Sequence, residues 1–569
     1  MLPLIHLSLI TSLNTPHITK IATQAPTNAA DLPAVLPADT PLVMLASTKA
    51  SDWQKLMRFK LFQNTFATAA FLLPTDWRSQ YQEISQLGIG DKIAFAVMPQ
   101  VASKPLNFDS SFLMLATVRE TDKLKSLIER SQISQQQKVI QQQYKGIKIW
   151  QWQSSPLPQT PLLSSLKGET TAHHNCQKIA AICKQGFAIA ILPKGYVAIA
   201  PNPRAIEQLI NTPKTNRLAQ NLNFQKTSSN PLYNRALFTV YQDPAKYIKY
   251  IESFLKEFNY PLNPLTASQM EQVKTYSFAN SYMWIESEGI HLQANSYWQT
   301  PRKNITNITS ADREKFLARI PAPAYSTVLG ENLIQYWQAI ALIFSSSPQL
   351  KAQFNQFQNS FRSATKLDIE RDVLKWMDGK YALFFYPSQR GAINSSYKKL
   401  NLGVGFLVQT SDRAAAETAL QKLNTAIESI SQGEAKVSDR QIQNLPVTSW
   451  ETKQQSFLAY TWVDKNILLI TPGNDAIAEL IPQPRRHLGK DSNFIIATRS
   501  FPQLNHGYFY LNFGSSLAWA YHLVPPESNN SNMAIFKQVM GSIYSISATA
   551  SSTAEGDRID SAIVLAPAR

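Results

Sequence analysis

Four residues in one short stretch have the side chains to do chemistry. His173 and His174 precede Cys176 and Cys183, the only two cysteines among 569 residues. Thiolates and imidazoles can close a tetrahedral zinc site, but common zinc patterns set paired cysteines about two to four residues apart, and this spacing does not fit. Two readings remain: a disulfide between Cys176 and Cys183, favoured by an oxidising compartment, or two unpaired thiols. No metal site is assigned.

The acids supply a second cluster. Asp368, Glu370 and Asp372 alternate ahead of Val373, and carboxylates serve a glycosidase or a metal hydrolase when two meet across a cleft. Alternation with Leu367, Ile369 and Val373 reads instead as a solvated edge beside a core. The equivalent place in the first half, Ile84, Leu87 and Ile89, lacks the acids. The chain has no His-Glu-x-x-His, no Gly-x-Ser-x-Gly and no Cys-x-x-Cys,. Gly88-Ile-Gly90 and Gly403-Val-Gly405 are fragments of a dinucleotide fingerprint that read as a turn and a strand. These motifs assign no catalytic residue and no cofactor.

Charge points outward. Fifty-five Lys and Arg against 39 Asp and Glu give a net charge of +16, which draws a protein toward anionic surfaces. Nucleic-acid binders gather their cations along one element and interleave aromatics. Here the cations are scattered, and the densest runs, Lys398-Lys399 and Arg485-Arg486-His487, are short. The expected partner is an anionic membrane surface or a membrane protein complex, with no specific nucleic acid; oligomeric state is left open. Trp284, Trp298, Trp450, Trp462 and Tyr282 fall in strand-like stretches, where core packing on a sheet is the default and a ligand groove the alternative.

The elements that must position these residues are written twice. Pro201, Ala205, Ile206, Leu209, Ile210 and Pro213 recur as Pro472, Ala476, Ile477, Leu480, Ile481 and Pro484, each pair 271 residues apart and one helix face in both places,. Leu36-Pro37-Ala38 matches Ile320-Pro321-Ala322, and Asn223-Phe224 matches Asn493-Phe494. Trp150 and Trp450 stand 300 apart, so the first half carries about 29 extra residues around 156–184, the stretch that holds both cysteines,. A period this long means duplicated domains and not a solenoid. The expected boundaries are an N-terminal tail at 1–30, a first repeat at 31–300, a linker at 301–315 and a second repeat at 316–569.

Within each repeat, strands alternate with helices. Phe112–Val118 reads as a buried strand, then Thr121 as a helix cap with Leu124, Leu127 and Ile128 inward. Leu402–Val408, the cap Ser411 and the inward Ala419, Leu420, Leu423 and Ile427 do the same later. Phe187–Leu192 and Tyr196–Ala200, split by Pro193-Lys-Gly195, form a hairpin, and Phe457–Val463 with Ile467–Ile470 forms another. Helices follow, capped by Asn202 and by Asn474. Hairpins imply antiparallel pairing, so the expected fold is α+β: two tandem homologous domains, each a mostly antiparallel sheet with helices on one face.

The block Leu367-Asp-Ile-Glu-Arg-Asp-Val-Leu-Lys-Trp-Met-Asp-Gly-Lys-Tyr-Ala-Leu, the block Tyr144-Lys-Gly-Ile-Lys-Ile, and the hairpin-helix unit after each resemble an uncharacterised, largely cyanobacterial family catalogued only as a domain of unknown function. The resemblance covers roughly 31–569 and brings no active-site residues. It implies domains placed outside the cytoplasm, because such proteins usually begin with a signal anchor. This chain departs from that pattern: Met1–Ile10 is apolar but shorter than the roughly 20 residues of a span, and the first basic residue is Lys20,. Residues 1–30 therefore read as an export-signal remnant, a disordered apolar tail or an amphipathic membrane contact. The apolar runs Phe66–Pro74 and Tyr336–Phe344 are also too short to span and read as helical core.

The functional expectation is a non-enzymatic, exported binding or assembly protein at a membrane surface, in periplasm or thylakoid lumen. One alternative is a hydrolase of an envelope polymer or lipid whose acids and histidines meet only on folding. The other is a chaperone-like module that binds extended peptides along a free strand.

Overall fold

The computed structural model describes residues 32–63, 87–99, 111–134, 139–152, 187–257, 267–302, 310–344, 348–388, 394–395, 398–399, 401–521, 537 and 539–568. The chain divides into two compact units. One takes residues up to Glu286 together with Leu292–Pro301; the other takes Ser287–His291 and Arg302–Pro567.

The first unit is built on β1 (Leu42–Ser47), β2 (Ile89–Val97), β3 (Phe112–Val118), β4 (Val139–Tyr144), β5 (Ile147–Trp152), β6 (Phe187–Leu192), β7 (Tyr196–Ala200), β8 (Phe238–Gln242), β9 (Tyr276–Ile285) and, from Leu292 on, β10 (Gly289–Trp298). Hydrogen bonding runs β4-β5-β6-β7-β3-β2-β1-β8-β9, every pair antiparallel. Its helices include α1 (Thr121–Ser134), α2 (Pro203–Asn211) and α3 (Leu222–Ser228).

The second unit holds β11 (Ser326–Glu331), β12 (Lys380–Pro387), the two-residue ribbon β13 (Asn394–Ser395) and β14 (Lys398–Lys399), β15 (Leu402–Gln409), β16 (Lys436–Ile442), β17 (Leu445–Glu451), β18 (Ser456–Asp464), β19 (Ile467–Thr471), β20 (Tyr508–Asn512), β21 (Ile543–Ser552) and β22 (Gly556–Leu565). Its sheet runs β16-β17-β18-β19-β15-β12-β11-β20-β21-β22, again antiparallel throughout. The helices used below are α4 (Leu333–Phe344), α5 (Pro348–Thr365), α6 (Arg413–Ile430), α7 (Asn474–Leu480), α8 (Ser492–Thr498) and α9 (Phe513–Tyr521). The fold is mixed α+β.

Local details recur with the strand order. The hairpin register that sets Ala190 against Ala198 sets Thr461 against Leu469. The amide of Leu218 donates to the Leu36 carbonyl at 2.8 Å, and that of Leu488 to Ile320 at 2.8 Å. Asn221 caps α3 by accepting from the amides of Asn223 and Phe224, and Asp491 caps α8 through Asn493 and Phe494. Caps elsewhere fall one residue from expectation: Asp412 rather than Ser411 caps α6, Gly473 precedes α7, and Thr121 is already helical, whereas Asn202 caps α2 by accepting from Arg204.

Helices cover both faces of each sheet, which corrects the one-face expectation. In β7, Ala198 and Ala200 join Leu113, Leu115 and the α2 residues Ile206 and Leu209, while Val197 and Ile199 turn to Val118 and to Leu124 and Leu127 of α1. In β19, Ile467 and Leu469 pack with Ile477 and Leu480 of α7, and Leu468 and Ile470 with Ala419 and Leu420 of α6. Successive residues of a strand point to opposite faces, so unbroken apolar runs such as Tyr-Val-Ala-Ile-Ala require cover on both sides.

Candidate functional site

The sequence's acidic cluster is a clasp. Asp368 caps a short π-helical turn, Ile369–Leu374, its Oδ1 accepting from the amides of Glu370 at 3.1 Å and Arg371 at 3.0 Å. It also pairs with Arg362 of α5. The Arg371 amide and the Arg362 guanidinium together outweigh burial and hold the Asp368 carboxyl below the usual range,. Asp372 accepts from the Asp368 amide at 2.8 Å and from Arg371 at 3.1 Å, and Arg371 holds it low in the same way. Glu370 Oε1 accepts from Trp337 Nε1 of α4 at 3.0 Å. All three carboxylates are spent on fastening chain to chain.

What they fasten is a helix pair with an unusual surface. The run Tyr336–Phe344, expected as helical core, is helical, yet none of the described side chains of α4 is fully buried, and Tyr336 is 53% exposed. Absence of charge encodes a preference for leaving water without naming what will cover the helix. On α5, Leu350, Phe354, Phe357 and Phe361 follow a heptad-like spacing that puts them on one face,. Trp337 lies 5.2 Å from Phe354 and 6.5 Å from Phe357 between ring centres, and Phe344 lies 5.3 Å from Phe354. Phe357 remains 54% exposed and Leu350 38%. α4 contains no charged residue, and the only charges in α5 are Lys351 and Arg362.

Folding also assembles two serine-histidine-glutamate groups that no sequence spacing announced. His506 Nε2 lies 3.1 Å from Ser552 Oγ, and its Nδ1 lies 4.0 Å from Glu331. His291 Nδ1 lies 3.2 Å from Ser500 Oγ, and its Nε2 lies 3.3 Å from Glu288. A hydrolytic triad needs the acid to orient the imidazole and the imidazole to accept the serine proton. Glu331 is instead committed to Lys380, and Ser552 donates to Asp557 at 2.8 Å. Glu288 accepts from Nε and Nη2 of Arg499, at 3.3 and 2.6 Å. Beside His506 is an open depression of about 10 Å³, room for one water molecule, lined by Arg313, Glu331, Lys380, Asn505 and Gly507. Small-molecule sites usually enclose roughly 300–1,000 Å³.

The remaining candidates have plain positions. Cys176, Cys183, His173 and His174 lie outside the described residues, as does Phe66–Pro74. Gly88 sits in a turn with positive φ, and Gly403 and Gly405 lie in β15, beneath the rings of Tyr386 and Phe384. Tyr282 is buried, with its hydroxyl donating to the Thr227 carbonyl at 2.9 Å. Trp284 donates to Glu286 at 2.9 Å, Trp298 stacks on Tyr276, Trp450 donates to Asn424 at 2.8 Å, and Arg413 sits over Trp462.

Comparison with known proteins gives a family and little else. No curated protein matches the chain. It is similar to solved structures titled as crystal forms I and III of TP0453. Form I is 9% identical over 49% of this chain and 82% of that one, with a TM-score of 0.24. Form III is 9% identical over 52% and 89%, with a TM-score of 0.25. These likenesses carry no argument. A family model described as a protein of unknown function, DUF3352, matches residues 8–566, and with nearly its whole length matched the chain belongs to that family.

Proposed function

We propose that the protein is a non-enzymatic binding or assembly factor working at an anionic membrane surface. The supporting observation is the α4–α5 face, where an uncharged helix with no fully buried described side chain packs beside the aromatics of α5, with exposed Lys351 in α5 and Lys366 just after it. The net charge of +16 adds long-range attraction to such a surface,. Export to periplasm or thylakoid lumen is part of the proposal and rests on the family resemblance. The shared strand order, hairpin register and caps support reading the two units as copies of one design, each with its own core.

The test is flotation of the full chain with liposomes of phosphatidylcholine, with and without phosphatidylglycerol, at low and physiological salt. Flotation with the anionic liposomes alone, weakened by salt, is the expected result. Equal behaviour with both liposomes, or no flotation, would overturn the proposal.

A second reading, hydrolysis of an envelope polymer or lipid, has one observation in its favour: Ser552, His506 and Glu331 stand in triad order beside a depression. Covalent labelling by a fluorophosphonate, abolished in Ser552→Ala, would establish it. The hydrogen bond from Ser552 to Asp557 predicts no labelling.

A further inference from the structure

We infer that α4 and α5 enter the lipid itself, lying flat at the boundary between headgroups and acyl chains. This deepens the proposed function by naming the lipid boundary as the partner of that face, and it rests on that reading.

Length decides the orientation. At about 1.5 Å per residue, the 12 residues of α4 and the 18 of α5 reach roughly 18 and 27 Å, short of a hydrocarbon core of about 30 Å. No helix among the described residues is long and apolar enough to cross a membrane. An amphipathic helix too short to span lies in the interface, with its apolar face about 5–10 Å deep.

Chemistry decides the occupant. Tyr336 and Phe357, each more than half exposed, supply the apolar side. Tyr and Trp favour the headgroup level, where a ring is buried and a polar tip stays wet; half-exposed Tyr336 is such a residue, and Trp337 beside it on α4, its indole held by Glu370, lies close enough to report on the face. Neither helix contains an acid, whereas Lys351 and, just beyond α5, Lys366 are exposed cations; Arg362 is engaged by Asp368. Apolar rings bordered by lysines that have no ion pair among the described residues complement an anionic lipid surface better than they complement a protein patch, whose contact would have to desolvate those ammonium groups.

The experiment uses the full chain with phosphatidylcholine–phosphatidylglycerol liposomes, some carrying brominated acyl chains that quench nearby tryptophan. The chain has 11 tryptophans, so the contribution of Trp337 is the difference between the native chain and Trp337→Phe. The inference expects quenching of the bound native chain, part of which disappears in Trp337→Phe. It also expects flotation of Phe357→Glu and Tyr336→Glu to weaken about tenfold or more, since each puts a charge where the inference places an exposed ring in lipid. Urea midpoints show whether each variant stays folded; should one unfold, the other carries the flotation result and Trp337→Phe the quenching result. If the native chain floats while both glutamate variants float equally and quenching ignores Trp337, the lipid-entry inference is wrong and the surface-binding reading survives. If the native chain does not float, both are wrong.

Discussion

Trp337 on α4 donates its indole hydrogen to Glu370 at 3.0 Å, across 33 residues of sequence. With the Arg362–Asp368 pair it ties both helices of the apolar face to one acidic turn. Removing the acceptor should therefore loosen that face without touching the sheet. Glu370→Leu is expected to cost about 1 kcal/mol, the net value of one such bond, and Glu370→Gln much less because its amide oxygen still accepts. Urea unfolding read by tryptophan fluorescence measures both.

The caps of α3 and α8 should be equivalent. Asn221 and Asp491 each accept from two backbone amides at the start of a seven-residue helix. Asn221→Ala and Asp491→Ala should each cost about 1 kcal/mol, and serine at either position should recover most of it. Thermal or urea unfolding of the full chain is the measurement, and unequal costs would show that the shared backbone pattern hides different surroundings.

Acid should weaken the second unit through Glu288. Burial pushes its carboxyl up, but hydrogen bonds from Arg499 and Ser287 outweigh that and leave it below its ordinary value of 4.5. A carboxyl held low in the folded state stabilises fully above its unfolded value, and that contribution is lost as pH falls through about 4.5 toward the folded value. Arg499→Leu removes the main hydrogen-bond donor and should cost about 1 kcal/mol at neutral pH. The gap between native and variant unfolding midpoints should shrink as the solution is acidified, and a gap independent of pH would refute the assignment.

Gly405 should tolerate no side chain. A Cβ there would lie 2.2 Å from Cζ of Phe384, a fully buried ring. Gly405→Ala is expected to destabilise by about 1–3 kcal/mol through overpacking, and Gly405→Ala combined with Phe384→Leu should recover part of the loss. A double-mutant cycle on urea midpoints checks this.

The sequence by itself determined whatever depends on neighbours along the chain. The Phe187–Leu192 hairpin, the Asn202 cap with Pro203 behind it, and the paired helix faces of Ala205, Ile206 and Leu209 and of Ala476, Ile477 and Leu480 were all legible, because period, turn residues and caps act within a few residues. Cap positions slipped by one where Ser411 stood beside Asp412, since either side chain can accept an amide and only backbone geometry selects. Tertiary structure decided the rest. Cover on both sheet faces depends on which distant helix arrives. The exposure of Tyr336 depends on how little of the described unit covers it beside the Tyr381 ring 6.3 Å away, and the meeting of His291 with Ser500 spans 209 residues. Hydrophobicity is non-directional: it tells a run such as Tyr336–Phe344 to leave water, and only the packed fold leaves Tyr336 half exposed at the surface,.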